Sequence, residues 1–141
     1  MIMNKKPIGQ TRWSKRIMVL NQIYFDVLSN HTLNKNIVIK DAFENQNFDH
    51  DQIEVLEYYF DNYQDLEKKI IERLKPTWPY SRINIITKSI LLICLSEYYA
   101  IGTKPAILID QALKTCDHRG LVRDKKFINA ILDRIIIKDD R

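Results

Sequence analysis

Between Ile53 and Leu74, apolar residues keep to one side of a 3.6-residue period. Ile53, Leu56, Phe60, Tyr63, Leu66, Ile70 and Leu74 are three or four positions apart. Such a stripe is buried as one face of a helix, because a strand would scatter these side chains over both of its faces. Asp49 stands before the stretch and Gln52 three positions later, the arrangement of a capping box, while Pro76 and Pro79 follow its end. Acids crowd its beginning, and Lys68, Lys69 and Arg73 its end, the polarity that a helix dipole favours.

The same period recurs along the chain. Trp13, Ile17, Leu20, Tyr24, Val27 and Leu28 mark a first helix, with Thr11 or Ser14 as its N-cap. NHTLNKN at 30–36 interrupts the pattern, and IVIKDAF at 37–43 reads as a short helix. From about Arg82 to Ala100, with Ile83, Ile86, Ile90 and Ile93, apolar residues cover much of the circumference, as expected of the central helix of a bundle. Gly102 terminates it, and Pro105 suits the first turn of a helix over 104–117 with Ala106, Ile109, Ala112, Leu113 and Cys116 inward. Gly120 breaks that helix, and RDKKFINAILDRI (123–135) forms the last one, with Phe127, Ile128, Ile131, Leu132 and Ile135 inward. With no alternating strand pattern of note, the expected fold is all-α: a single helical bundle over residues 1–141, the first ten forming a flexible basic arm.

Several function classes lack their residues. Three glycines (Gly9, Gly102, Gly120) make no phosphate-cradling loop, and no metalloprotease or nucleophile-elbow motif is present, so no catalytic residues are assigned. His31, His50 and His118 share no metal-ligand spacing, and no metal or cofactor is expected. Cys94 and Cys116 lie in helical patterns outside any CxxC and read as small core residues. Glu97 interrupts the most apolar helix and is expected to accept a hydrogen bond inside the bundle. No apolar run is long enough to cross a bilayer, and the N-terminus lacks the apolar core of a signal peptide, which makes the cytoplasm the expected location.

Charge is segregated along the chain. Residues 1–40 sum to +6, residues 41–67 carry nine acids and no Lys or Arg, and residues 68–141 sum to +7. Basic ends on a polarised molecule suit a polyanionic partner. The last helix carries Arg123, Lys125 and Lys126 at its N-terminal end, where the helix dipole disfavours cations. An anion such as phosphate, bound by free backbone N–H groups and the lysines together, would account for them. Phe127 either packs in the core or stacks on an unpaired base, and Tyr24 has the same two readings. Asn129 and Asp133 are expected to bond neighbouring helix ends, and Arg82 to pair with a carboxylate.

Four groups of residues carry a family resemblance. They are Arg12, Lys15, Arg16 and Tyr24; WPYSRI at 78–83; KPAILIDQAL at 104–113; and KKFINAILD at 125–133. Together they resemble the NusB family of transcription antitermination proteins over about residues 11–136, with 30–50 poorly matched. The last group is the most specific, since the family's K-F-V-N-G-V-L-D reads here as Lys126 through Asp133. The resemblance implies an all-helical protein that binds boxA-type single-stranded RNA together with NusE, a ribosomal small-subunit protein, in an antitermination complex supporting ribosomal RNA synthesis. It also implies one RNA surface shared by the first helix (Arg12, Lys15, Arg16, Tyr24) and the last (Lys125, Lys126, Phe127). The chain departs from the family pattern at Thr87, where an acid is common, and at Leu92, where an arginine is common. Both departures bear on the NusE-facing surface. An adaptor that binds only protein is the alternative, and self-association is left open.

Overall fold

The computed structural model describes residues 11–138; the expected basic arm at 1–10 lies outside them. Among the described residues there are helices and turns but no strand. Helix α1 spans Arg12–Leu28, α2 Lys35–Glu44, α3 His50–Ile71, α4 Ile85–Ile101, α5 Pro105–His118 and α6 Lys125–Leu132. Short 3-10 turns at Tyr80–Arg82 and Val122–Asp124 precede α4 and α6, and a π turn, Asp133–Lys138, continues α6. The all-α expectation holds.

Local sequence explains most of the helix ends. Thr11 is the N-cap of α1, in a reciprocal capping box in which Ser14 holds the third helical position. Asp49 and Gln52 do the same for α3. Gly102 takes the left-handed conformation after α4, with φ of 70° and its N–H on the Tyr98 carbonyl. Helix α4 starts three residues later than the periodicity predicts, because the Asn84 side chain accepts from the Ile86 N–H and caps it there. Arg82 is left in the 3-10 turn, exposed and without an ion pair among the described residues, which corrects the carboxylate pairing expected of it.

Helix α4 is the hub, packing on α1, α3, α5 and α6. Every residue from Ser89 to Glu97 is buried. Thr87 and Leu92 belong to this interior: Leu92 is fully buried in the core, and the Thr87 hydroxyl donates to Asp124 Oδ2 at 2.6 Å. Both side chains are enclosed, so the two departures from the family pattern are changes in the interior of the bundle. Helix α5 buries Leu108, Ala112, Thr115 and Cys116 and leaves Ala106 exposed, a shift in phase from the expected inward set. Cys94 and Cys116 are free, buried thiols; burial pushes both above the usual thiol pKa, Cys116 to about 11. No helix among the described residues is long and apolar enough to cross a membrane.

One polar cluster inside the bundle was not evident from periodicity. His31, in the loop after α1, adopts φ of 60° and stacks on Tyr63 with ring centroids 4.0 Å apart. Its Nδ1 is 2.8 Å from Asp26 Oδ2 and its Nε2 is 3.4 Å from Glu67 Oε2, while Tyr59 and Tyr80 donate to the same two carboxylates. Burial alone would push the imidazole down, but the Asp26 and Glu67 carboxylates outweigh it and raise its pKa from 6.5 to about 9. Burial pushes Asp26 and Glu67 up; hydrogen bonds from His31 and the tyrosines outweigh it and leave both below the usual carboxylate range.

The raised His31 value stabilises the fold fully below about pH 6.5, and that contribution is lost as pH rises through about 9. The depressed acids contribute in the opposite sense, through stability lost as pH falls below the ordinary carboxylate range. Denaturation midpoints should therefore fall on the alkaline side between pH 7 and about 9, and in His31→Gln that alkaline limb should be absent. A parent midpoint that stays flat across this window would show that His31 is not held as an imidazolium.

Candidate nucleic-acid interface

Helix α6 starts from a tight 3-10 turn, with no side-chain cap at Asp124. The Asp124 carboxylate is occupied by the Thr87 hydroxyl. Lys125, at the first helical position, reaches back to Asp117 at the end of α5, with Nζ 2.9 and 3.0 Å from the two carboxylate oxygens. An acid 8 residues upstream thus supplies part of the negative charge that the crowded cations call for. Lys126 and Arg123 are exposed and have no ion pair among the described residues. Phe127 is half-buried at the edge of the core, which leaves both of its readings standing. Asn129 is exposed and Asp133 pairs with Lys138 in the next turn, so neither bonds a neighbouring helix end as expected.

The first-helix cations have three different fates. Arg12 is exposed, with no ion pair among the described residues. Lys15 bonds Asp49, the N-cap of α3, at 2.9 Å. Arg16 turns inward, where its Nε and Nη2 donate to Glu97 Oε1 and Oε2 at 2.8 and 2.7 Å. Thr103 adds a third donor to Glu97, at 2.6 Å. The expectation for Glu97 is met, and its main partner is a residue singled out for RNA. Arg12, Lys15 and Arg16 line a cleft of about 550 Å³ between the starts of α1, α3 and α5. Tyr24 is half-buried outside the core cluster, in edge contact with Phe25.

Contact between α1 and the α5 end next to α6 is made by residues that the sequence did not single out for binding. The Trp13 Nε1–H donates to the Thr115 hydroxyl at 3.1 Å, and its ring meets His118 edge-on at 5.0 Å. Lys114 Nζ lies 4.8 Å from the centre of the same indole. The i, i+4 spacing of Lys114 and His118 was the available signal, since it places both on one face of α5.

Comparison with known proteins agrees with this architecture. The NusB family profile matches residues 16–136. The chain belongs to the NusB family. A Treponema denticola protein named transcription antitermination protein NusB is 36% identical over 76 residues, which is 53% of this chain and 55% of that protein. An uncharacterised Mycoplasma pneumoniae protein, an MG027 homologue, is 36% identical over 55 residues, 39% of this chain and 33% of that one. The chain thus spans about half the length of the first relative and a third of the second. In fold, it is similar to a conserved hypothetical protein from Mycoplasma genitalium, described as structurally homologous to NusB proteins. That match has a TM-score of 0.66 and 24% identity, covering 82% of this chain and 92% of the other. It shows a likeness in the three-dimensional arrangement of the helices.

One further grouping borders the cleft between the starts of α1, α3 and α5, which Asp51 helps to line. His50, Asp51 and Glu54, on the first turns of α3, bring ligand-type atoms within 4.8 Å of one another. The 3.0 Å contact between His50 and Glu54, an i, i+4 pair, explains the grouping without an ion.

Proposed function

We propose that this NusB-family chain is an antitermination factor that binds boxA-type single-stranded RNA together with NusE, in support of ribosomal RNA transcription in the cytoplasm. The observation that carries the reading is the start of α6. There, exposed Lys126 and Arg123 and the half-exposed Lys125 flank a half-buried aromatic ring, next to a helix N-terminus without a side-chain cap. Cations supply phosphate contacts, backbone N–H groups add to them, and Phe127 offers an edge on which an unpaired base can stack. Family membership and a relative named for transcription antitermination support the same reading. Arg12 provides the α1 contact, whereas Lys15 and Arg16 support the site by fixing α1 to α3 and α4. The protein-only adaptor is the second reading, favoured by Ile37 and Phe43, which stand 69% and 66% exposed on α2.

Fluorescence titration with boxA-like and scrambled RNA, with and without NusE, separates the two. Sequence-specific RNA binding supports the first, and NusE binding without RNA binding supports the second. The order of addition is a further check, because each ligand must strengthen the other by the same factor if they couple. Changing Lys125 and Lys126 together to Ala should flatten the slope of log affinity against log salt by about 1.4, at about 0.7 per lost single-strand contact. Flattening by only about 0.7 would mean that Lys125 stays on Asp117. Phe127→Leu should weaken binding by about 1–3 kcal/mol with the slope unchanged. Parent-like affinity and slope in the lysine variant would place the RNA elsewhere.

A further inference from the structure

The proposed site has cations at the start of α6 and at the start of α1, and what lies between them is the last turn of α5. There Lys125 is held on Asp117, whose chain neighbour is His118, and the His118 ring touches Trp13, which directly follows Arg12. Lys114, one turn earlier on the same face, puts its ammonium beside the same indole. Trp13, His118 and Lys114 thus form one contact group, with Arg12 next to Trp13 in the chain, Asp117 next to His118, and Lys125 bonded to Asp117. Lys114 and His118 are exposed and have no carboxylate partner among the described residues, and Lys125 already occupies the adjacent Asp117.

We propose that the last turn of α5, through Lys114 and His118 beside the Trp13 indole, is a middle segment of the RNA track and carries one strand from the α6 cations to Arg12. This rests on the RNA-binding function proposed above. The ligand class is the sugar-phosphate backbone of a single strand with one splayed base. The Lys114 ammonium takes a phosphate, since the neutral indole next to it leaves its charge uncompensated. The exposed His118 imidazole offers a flat face and an N–H to the adjacent base, the mode by which unpaired bases are held on aromatic side chains. Trp13 is a positioning residue: the Thr115 hydrogen bond fixes its ring, which in turn fixes the side chains on either side of it.

The test is RNA titration of the full chain at several salt concentrations, with thermal unfolding of each variant. Lys114→Ala should flatten the salt slope by about 0.7, and Lys114→Arg should restore it. His118→Ala should weaken binding about five-fold or more with the slope unchanged, the loss expected of one stacked base. Lys40→Ala, an exposed cation on α2, should leave affinity and slope alone. If the parent binds RNA and the Lys125/Lys126 variant is impaired, but Lys114→Ala and His118→Ala bind like the parent, the α5 segment is overturned and the RNA function stands. A parent chain that binds no RNA overturns both. A Lys114→Arg variant that fails to recover the slope, with its melting midpoint unchanged, also counts against a phosphate at this position.

Discussion

Replacing Arg16 by Met should lower the free energy of unfolding by about 3–5 kcal/mol, the cost of leaving a buried charge without its partner. Glu97 is 4% exposed and accepts three bonds, two of them from this guanidinium, so truncation leaves a buried carboxylate at the wall of the cleft with Thr103 as its remaining donor. The double variant Arg16→Met/Glu97→Met should recover most of the loss, because two apolar groups in place of a buried ion pair are often neutral or better. Denaturant unfolding of the parent and the two variants measures this directly. A loss below about 1 kcal/mol for the single variant would place the pair among exposed salt bridges and return Arg16 to the set of residues free to meet RNA. The result also governs how binding data are interpreted, since an Arg16 variant that loses RNA affinity through partial unfolding says nothing about contact.

Leu92→Ala should cost about 2–5 kcal/mol, the range for emptying a closely packed apolar site. Leu92 is fully buried on α4, the helix that contacts four others, so the surrounding side chains are held from several sides and cannot close the space cheaply. The same variant distinguishes a core position from a partner-facing one. A core residue lowers the denaturation midpoint and leaves NusE affinity unchanged once the protein is folded. Loss of NusE binding at an unchanged midpoint would overturn the interior placement of Leu92.

Local physics made much of the architecture legible in the residues. Asp49 with Gln52, Gly102 and Pro105 stop and start helices through groups a few positions away, and the apolar periods mark which face each helix buries, whereas the Asn84 cap that sets the start of α4 was not evident from them. Of the inward set expected for the last helix, Ile128, Ile131, Leu132 and Ile135 are buried and Phe127 is half-buried. Periodicity was less exact at phase boundaries. In α1 the buried set centres on Val19, Leu20 and Ile23, leaving Trp13 and Tyr24 half-buried and Leu28 52% exposed, because neighbouring helices flank one side of the stripe more fully than the other.

By itself, then, the sequence determined the helical fold, several of the helix ends, the central place of α4 and the family to which the residues point. Only the tertiary structure decided what the charges do. Arg16 finds Glu97 across 81 residues, Lys15 finds Asp49 across 34, and Tyr59 meets Asp26 across 33. A helical period specifies the direction a side chain takes from its own axis, but whether a cation is a structural tie or a free phosphate contact depends on which carboxylate lies within hydrogen-bond reach, and packing brings that carboxylate from elsewhere in the chain. The same reason accounts for His31, whose raised pKa comes from acids on α1 and α3, and for Trp13, Lys114 and His118, which share a surface only once α5 has packed against α1.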